Sequence, residues 1–421
     1  MKHALPLVLV AICGLASAKE NTPSLLVENA RVAIIGDSIT EQKLYSKYIE
    51  TYLLACTGRK DIRCFQFGWS GETAAGFKAR LENDLSVFNP TVATTCYGMN
   101  DGRYVPYAEA IGKDYEANMR AVVTGLQRIG VKSIVVGTPG AVDTKFFVKA
   151  GASADQYNDS LARLGGLGHK LAAEFHTGFA DVHREMTDAM TKGKAVLGAD
   201  YDVCGRDGVH PGPNGQLLMA AAFLKGLGLD GDIGSITADM QGTSIATDGH
   251  KVLSQQAGTI QIESTTWPFC FEGDAKTSGG TRSILAFCKF NDELNRLTLQ
   301  VKNLSAASAK VTWGTESKVF MREQLAQGIN LAAEFAKTPF DDAFTKLIGA
   351  VGTKQAYETP MIKGMITNFR NFAADAKADP EFASALEVLK KKMLAKQEKL
   401  DAEARKLVVP VKHTIKIEAA N

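Results

Sequence analysis

From Arg31 to about Leu229, short apolar runs alternate with longer amphipathic stretches. The predicted strands are the runs at 32–35, 64–67, 92–96, 133–136 and 177–182. Segments with helical periodicity lie between and after them, at 42–57, 115–129, 156–175 and 214–227. Strict alternation of strands and helices is typical of an α/β protein with a three-layer, doubly wound parallel sheet. Functional residues in such a sheet are expected at the carboxyl ends of its strands.

Beyond Leu229 the pattern changes, because segments rich in Gly and Asp separate shorter alternating runs. These runs predict antiparallel strands at 258–265, 284–290, 297–301 and 309–313. From about Ala326 the pattern is helical, and a final run at 411–418 alternates as a strand does. We therefore predict a C-terminal β-sandwich, formed by residues 230–325 and 407–421, that carries a helical insertion at 326–406.

The charged stretch at 381–406 is predicted to be one long helix within this insertion. We expect it to pack against 335–348 or 361–372 and to present its charges to solvent. A partner-binding coiled coil is the alternative, since its apolar positions keep only a loose heptad: Leu386, Leu389, Met393 and Leu400.

The first residues resemble a secretory signal. Lys2 and His3 precede an apolar run at 4–15, and the small residues Ala16 and Ala18 follow. This pattern predicts a signal peptide at 1–18, cleaved after Ala18, a first domain at 19–229, and a secreted or periplasmic protein. No later run has the ~18 consecutive apolar residues that a membrane span requires.

Cleavage also removes Cys13 and leaves an even number of cysteines in an oxidising compartment. Their spacing favours the pairs Cys56–Cys64 and Cys270–Cys288. Cys96 and Cys204 form a third pair by elimination, or remain buried thiols. No cysteine or histidine cluster has the spacing of a zinc site, so no metal is predicted.

The overall charge balance excludes one class of partner. The net charge is +2, and 45% of the residues are hydrophobic. This is an ordinary globular balance, with no basic tract suited to a phosphate backbone, so we expect no nucleic-acid partner.

The first segment with candidate chemistry follows the first predicted strand. That strand runs into Gly36-Asp37-Ser38, and a helix begins there. The Ser38 hydroxyl is thus expected at the carboxyl edge of the sheet, near the positive end of a helix. This position suits a nucleophile, although a serine that only caps the helix has the same local sequence.

Two further segments follow the next two strands. Gly71, in a Gly-Trp-Ser-Gly-Glu segment, lets the backbone approach a ligand and aim an N–H at it. Asn100 can aim its side-chain amide at a developing oxyanion, while Asp101 holds the loop. Read alone, these segments are equally typical of a plain turn and an Asx-turn.

The fourth segment, Asp207-Gly208-Val209-His210, precedes the last helix of this region. An aspartate three residues before a histidine lets one short loop carry a general base and the carboxylate that orients it. Asp181 and His183 form a second Asp/His pair. This pair lies on the fifth predicted strand, and we expect it to have a role in the core or in supporting the site, and no direct catalytic role.

Together, the four segments resemble the sequence blocks of the SGNH/GDSL hydrolase family: Gly-Asp-Ser, Gly, Gly-x-Asn-Asp and Asp-x-x-His. The resemblance covers about residues 31–229 and implies a flavodoxin-like sheet and a serine esterase that needs no cofactor. It implies Ser38 as nucleophile, His210 as general base and Asp207 as its orienter. It also implies an oxyanion hole formed by the amides of Ser38 and Gly71 and the side chain of Asn100. Gly68 is the alternative for the glycine.

The resemblance does not identify which ester is the substrate, because the family includes carbohydrate O-acetyl esterases, lysophospholipases and thioesterases. Export, the appended sandwich and the lack of a membrane-attaching amphipathic helix favour an acetylated polysaccharide or oligosaccharide as substrate. An exported lysophospholipase or other lipid esterase is the alternative enzyme. A non-catalytic carbohydrate-binding envelope protein is the alternative outside catalysis, although the intact Ser38, Asn100, Asp207 and His210 argue against it. The pattern leaves the oligomeric state open.

Overall fold

The computed structural model describes residues 24–420, and their first half forms a five-stranded parallel sheet. The predicted signal peptide lies outside the described residues. The strands are β1 (Arg31–Gly36), β2 (Arg63–Gly68), β3 (Val92–Cys96), β4 (Ser133–Gly137) and β5 (Gly178–Ala180). Their order is β2-β1-β3-β4-β5, with every adjacent pair parallel. The predicted doubly wound sheet is therefore confirmed, with a flavodoxin-like strand order.

Helices cover both faces of this sheet. They are α1 (Ser38–Glu41), α2 (Tyr45–Ala55), α3 (Ala74–Leu85), α4 (Glu109–Arg128), α5 (Ala154–Glu174), α6 (Val182–Leu197) and α7 (Pro213–Gly226). Val32 and Ile34 of β1 join the apolar core on the side of α2 and α7, while Ala33 and Ile35 join the core beneath α3 and α4. Burial of both faces explains why these strands are continuous apolar runs in the sequence.

One predicted strand ends earlier than expected. Asp181 caps helix α6, and its carboxylate accepts a hydrogen bond from the Arg184 amide at 3.3 Å. His183 therefore lies in the first turn of a helix and not on a strand. Aspartate is a preferred N-cap residue, and its side chain outweighs the apolar run at this boundary.

The C-terminal region contains two further sheets, as predicted. Its strands are β6 (Asp232–Asp239), β7 (Ile245–Ala246), β8 (His250–Gln256), β9 (Thr259–Ser264), β10 (Arg296–Lys302), β11 (Ser308–Trp313), β12 (Glu316–Met321), β13 (Ile329–Asn330) and β14 (Val411–Ala420). The four-stranded sheet has the order β13-β10-β6-β7, and the five-stranded sheet the order β12-β11-β14-β9-β8. The last strand, β14, thus enters the middle of a sheet whose other strands precede the helical insertion.

Two predictions for this region are wrong in detail. The strand predicted at 297–301 pairs antiparallel with β13, as predicted, but parallel with β6. The strand predicted at 284–290 is a 3-10 turn (Ser283–Phe287) followed by α8 (Phe290–Leu294). Its buried apolar residues Ile284, Phe287 and Phe290 recur every third position, a helical spacing that a short run does not distinguish from a strand.

The helical segment predicted at 326–406 begins slightly earlier, at Arg322. Its helices and turns are α9 (Arg322–Gln327), α10 (Leu331–Glu334), α11 (Asp341–Thr359), a π-helical turn (Pro360–Ile366), α12 (Thr367–Phe369), a 3-10 turn (Arg370–Phe372), α13 (Ala373–Ala378) and α14 (Pro380–Lys406). The long charged helix α14 packs against α11. Gln397 donates to the Glu358 carboxylate at 2.8 Å, and the Tyr357 hydroxyl donates to the Met393 carbonyl at 3.3 Å.

Helix α11 also covers the edge strand β2, which the sequence pattern did not predict. Lys354 donates to the Cys64 carbonyl at 2.6 Å, and the Gln66 amide donates to the Glu358 carboxylate at 3.0 Å. These are backbone groups that face away from β1. The buried ammonium of Lys354 is balanced by Glu50 of α2 at 2.6 Å. The insertion is therefore fixed to the parallel sheet through polar groups that an open edge would leave unpaired.

None of the predicted disulfides is formed within residues 24–420. The free cysteines there are Cys56, Cys64, Cys96, Cys204, Cys270 and Cys288. Cys56 follows the end of α2, whereas Cys64 lies inside β2. Closeness along the chain does not provide the specific geometry that a disulfide requires. Within the same residues, no helix is both long and apolar enough to cross a bilayer.

Candidate active site

The turn between β1 and α1 presents Ser38 at the carboxyl edge of the sheet. A Cβ on Gly36 would lie 2.1 Å from Oγ1 of Thr40 and 2.9 Å from the carbonyl oxygen of Cys96, so only glycine fits before this turn. Helix α1 begins at Ser38, whose amide is one of the free donors at a helix start.

The helix cap at this turn is Asp37. Its buried carboxylate accepts the Ile39 amide at 2.9 Å. The alternative in which Ser38 caps the helix is therefore wrong, and the Ser38 hydroxyl is free for other contacts. Burial raises the pKa of Asp37 to about 7.

The Ser38 hydroxyl lies at one end of a hydrogen-bonded chain. Its Oγ is 2.8 Å from Nε2 of His210, 172 residues away in the sequence. Nδ1 of the same ring is 2.5 Å from Oδ2 of Asp207. The other oxygen of Asp207 accepts the amides of Val209 and His210, each at 2.9 Å. An imidazole held in this way can accept a proton from a serine hydroxyl.

The charge on Asp207 determines which ring nitrogen of His210 carries the proton. Burial alone would raise the pKa of Asp207. The hydrogen bonds from the amide and ring of His210 outweigh burial, and the pKa is lowered. An anionic Asp207 favours a proton on Nδ1 and leaves Nε2 to accept from Ser38. The two side chains are 55% and 36% exposed for Asp207 and His210, so the site opens at the surface.

Two glycines shape the loop that carries Asp207 and His210. Gly205 has φ +83°, and a Cβ there would lie 1.9 Å from the His210 carbonyl oxygen. Gly208 has φ +78°, and its Cβ would lie 2.3 Å from the backbone of Phe147. The Gly208 carbonyl accepts the Asp143 amide at 2.9 Å. The loop therefore packs backbone to backbone against the segment after β4.

Asn100 lies in the loop after β3, and its side-chain amide is bonded at both ends. Nδ2 donates to the carbonyl of Glu72 at 3.0 Å, and Oδ1 accepts from the Tyr104 hydroxyl at 3.1 Å. A carboxamide nitrogen has two hydrogens, so one N–H of Asn100 remains for a ligand.

Asp101 ties this loop to helix α3. Its carboxylate oxygens accept the amides of Gly98 and Ala74, each at 3.0 Å. Burial raises the pKa of Asp101 to about 6. These contacts agree with the predicted role of Asp101 in holding the loop.

The segment that carries Gly71 is bonded to the same loop. Gly71 has φ +73° with no atom within 4 Å of a built Cβ, so its backbone conformation, and not crowding, favours glycine. Gly68 differs, since its Cβ would lie 2.2 Å from the Glu41 amide. Gly71 precedes Glu72, whose carbonyl bonds Asn100. Gly71 is thus at an exposed turn, whereas Gly68 packs on α1.

Sequence reasoning missed Arg80, which holds Glu72 in place. Its guanidinium donates to the two carboxylate oxygens of Glu72 at 2.6 and 2.7 Å and to Asp84 at 2.9 Å. The Tyr97 hydroxyl donates to Glu72 at 2.7 Å. All four side chains are buried. No motif marks Arg80, and no helix was predicted around it; the only signal in the sequence is its place beside Phe77 and Leu81, which recur at helical spacing.

The second Asp/His pair is not connected in the same way. His183 has its Nδ1 3.1 Å from the Gly140 carbonyl, and burial lowers the pKa of His183. Asp181 instead pairs with Arg184 at 2.8 Å. That this pair has no direct catalytic role remains a prediction. In the structure the two side chains have separate partners, and His183 lies on a helix and not on a strand.

A cavity of 720 Å³ lies elsewhere, beside the edge strand β5. It is lined by groups from α5, α6 and α7, and no residue of the Ser38–His210–Asp207 chain borders it. The candidate active site is therefore identified by its hydrogen-bonded side chains and not by this cavity. Within residues 24–420, no cluster of three or more His, Cys, Asp or Glu side chains is arranged to hold a metal ion.

Comparison with known proteins identifies the region that contains these groups. Residues 34–218 match the GDSL-like Lipase/Acylhydrolase family. An acetylxylan esterase from Geobacillus stearothermophilus is 27% identical over 193 residues, which are 44% of this chain and 81% of the relative. A solved structure of an acetylxylan esterase from the same organism is 24% identical and covers 48% of this chain and 95% of its own, with a TM-score of 0.40.

The C-terminal region also has a structural counterpart. The structure of a gut microbial diltiazem-metabolizing enzyme has a TM-score of 0.74 at 21% sequence identity and covers 93% of this chain and 98% of its own. This likeness extends the shared fold beyond the parallel sheet to the two C-terminal sheets. The part of the chain that forms the parallel sheet thus matches the GDSL-like Lipase/Acylhydrolase family, and the protein is a carboxylic ester hydrolase.

Proposed function

We propose that this protein removes O-acetyl groups from a carbohydrate, as a serine esterase that forms an acyl-enzyme on Ser38. The observation that carries the proposal is the hydrogen-bonded chain from Ser38 through His210 to Asp207, with distances of 2.8 and 2.5 Å. Such a chain activates a hydroxyl that is otherwise a weak nucleophile.

In the proposed reaction, Nε2 of His210 takes the proton of Ser38 as its Oγ attacks the ester carbonyl. The tetrahedral oxyanion accepts hydrogen bonds from the amides of Ser38 and Gly71 and from the remaining N–H of Asn100. The carbon–oxygen bond to the alcohol then breaks, and the alcohol leaves with the proton from His210. Water releases the acyl group by the same steps, with His210 again acting as the base.

Two observations support an ester displayed on a saccharide. An acetylxylan esterase is 27% identical to this chain over 193 residues. The Asp207 and His210 side chains are also exposed at the surface, which suits an ester group carried on a large substrate. We further propose that residues 1–18 direct export, with the mature chain beginning at residue 19 in the periplasm or outside the cell. We also propose three domains, at 19–229, at 230–325 with 407–421, and at 326–406.

The first experiment tests the mechanism. Hydrolysis of 4-nitrophenyl acetate is measured for the wild type, Ser38→Ala and Asn100→Ala, with Ser70→Ala as the matched control in a nearby exposed turn. Ser38→Ala should abolish turnover, and Asn100→Ala should lower it about 100- to 1,000-fold, the usual cost of one oxyanion donor. Ser70→Ala should retain the wild-type rate. Equal rates for Ser38→Ala and the wild type would contradict the mechanism.

The second experiment tests the substrate. Across nitrophenyl esters of increasing acyl length, the proposal expects kcat/KM to fall steeply beyond acetyl. It also expects acetate release from at least one member of a panel of acetylated glycans. Preference for long acyl chains, with release of fatty acid from lysophospholipid, would instead indicate a lipid esterase. A wild type without hydrolase activity would favour the carbohydrate-binding envelope protein. Mass spectrometry of the exported protein tests the predicted start at residue 19.

A further inference from the structure

Tyr104 contacts the one candidate oxyanion donor that comes from a side chain. Its hydroxyl donates to Oδ1 of Asn100 at 3.1 Å, while Nδ2 of Asn100 donates to the Glu72 carbonyl at 3.0 Å. In the opposite amide orientation, Oδ1 would face that carbonyl and two acceptors would meet. The two hydrogen bonds together leave one N–H of Asn100 with a defined direction.

An aromatic stack holds the Tyr104 ring. The ring stacks on Tyr157 with centroids 5.1 Å apart, and Tyr157 stacks on Phe147 at 5.5 Å with an interplanar angle of 3°. Phe147 in turn lies against Gly208, where a Cβ would approach its backbone to 2.3 Å. The stack therefore connects the loop that carries Asn100 to the loop that carries Asp207 and His210.

The backbone at Tyr104 is unusual for a tyrosine. Arg103 has φ +59° and Tyr104 has φ +57°, so two consecutive residues with side chains adopt the left-handed conformation. This conformation costs roughly 1–2 kcal/mol per non-glycine residue. Strain of this kind clusters at functional sites, where the surrounding contacts compensate for it. Here the compensating contacts are those of the Tyr104 side chain.

We infer that Tyr104 is a positioning residue for ester hydrolysis, which acts through Asn100 by holding its carboxamide so that one N–H faces the oxyanion. This inference rests on the proposed function. Burial raises the pKa of Tyr104 to about 12, so its hydroxyl stays protonated and remains a donor. A hydrogen bond accepted at Oδ1 also polarises the amide, which makes its N–H a stronger donor to the oxyanion.

The test is a double-mutant cycle that combines Tyr104→Phe with Asn100→Ala. Tyr104→Phe keeps the stacked ring and removes only the hydroxyl. In the wild-type background it should lower kcat for 4-nitrophenyl acetate roughly 3- to 10-fold, the worth of one neutral hydrogen bond, with KM unchanged. In the Asn100→Ala background it should cause no further loss, because the residue through which it acts is gone. Tyr107→Phe is the matched control, since the Tyr107 ring packs under Arg163 at 5.1 Å.

A second readout does not depend on activity. In protein labelled with ¹⁵N-asparagine, Tyr104→Phe should shift the Asn100 side-chain NH₂ signals and speed their hydrogen exchange, whereas Tyr107→Phe should leave them unchanged. An equal fold loss in both backgrounds, or unchanged NH₂ signals, would overturn the inference. Inactive wild type would contradict the proposed function alone, because the NH₂ signals would still test whether Tyr104 holds Asn100.

Discussion

Lys363 of the helical insertion lies 2.7 Å from Glu41, a residue of the short helix that begins at Ser38. The other carboxylate oxygen of Glu41 accepts the Ser70 amide at 2.5 Å. The Lys363 ammonium also lies 4.8 Å from the centre of the Trp69 ring. The insertion thus contacts the segment that carries Gly71, although it follows that segment by almost 300 residues in the sequence.

We predict that Lys363→Met lowers esterase activity with little loss of stability. The pair is partly exposed, with 25% of the Lys363 side chain accessible, so the free energy of unfolding should fall by less than about 1 kcal/mol. Loosening of the segment around Gly71 should lower kcat for 4-nitrophenyl acetate by about 2- to 5-fold, a loss of under about 1 kcal/mol. Lys390→Met, which removes a surface pair within α14, should leave kcat unchanged. Equal kcat for both variants would refute the coupling.

We predict that Arg80→Met is strongly destabilising. The Arg80 guanidinium is 3% exposed and neutralises Glu72 and Asp84, which are 6% and 0% exposed. Its removal leaves two buried carboxylates without their cation, which typically costs about 3–5 kcal/mol. Urea denaturation followed by circular dichroism measures the loss. Arg103→Met, which breaks a pair that is 58% exposed on both sides, should cost less than about 1 kcal/mol. Similar costs for the two variants would contradict this account.

Two buried histidines of the C-terminal sheets, His413 and His250, belong to one series of hydrogen bonds. The donor in each bond follows from the first, because Trp313 can only donate. Trp313 donates from Nε1 to Nδ1 of His413 at 3.1 Å, so Nε2 of His413 donates to the Ser264 hydroxyl at 2.8 Å. Ser264 then donates to Nδ1 of His250 at 2.7 Å, and Nε2 of His250 donates to the Ile233 carbonyl at 2.9 Å. Both imidazoles are therefore neutral in the folded protein.

This series of hydrogen bonds predicts a loss of stability in acid. Burial, with a smaller contribution from His250, lowers the pKa of His413 to about 3, against 6.5 for an exposed histidine. Between these values the unfolded chain binds a proton that the folded protein does not, so stability falls as pH falls from 6.5 towards 3. One proton contributes a slope of about 1.4 kcal/mol per pH unit. His413→Gln should reduce the measured slope by up to this amount, whereas His169→Gln, on an exposed helix face, should not. An unchanged slope in His413→Gln would rule out this explanation.

The raised pKa of Asp37 predicts that its contribution to stability changes with pH in the opposite direction. Burial raises its pKa from 3.8 to about 7, so the folded protein holds a proton that the unfolded chain releases in this range. The contribution of Asp37 to stability is full below pH 3.8 and is lost as pH rises towards 7. Asp37→Asn keeps an oxygen that can accept the Ile39 amide and removes the titration. The variant should therefore gain stability relative to the wild type by up to about 1.4 kcal/mol per pH unit across this range. Asp248→Asn, at an exposed turn, is the control, and parallel curves for Asp37→Asn and the wild type would disprove the prediction.

The local features of this protein could be predicted from the sequence. Apolar runs identified the five parallel strands, because strands covered on both faces need apolar side chains at every position. The positions of Ser38 and of the Asp207-to-His210 loop also followed from local patterns. In each case the residues that shape the turn lie within three positions of one another in the sequence. The catalytic roles assigned to these residues remain predictions.

Other features depended on contacts between distant segments. Ser38 and His210 meet across 172 residues because the fold brings the end of β1 and the loop before α7 to one rim of the sheet. The parallel pairing of β6 with β10, the free cysteines and the cover that Lys354 and Glu358 provide for β2 were not predicted. Periodicity reports which face of an element is buried, because that depends on neighbouring residues. Which element covers that face depends on the fit of side chains and backbone polar groups far apart in the sequence, and only the tertiary structure decides it.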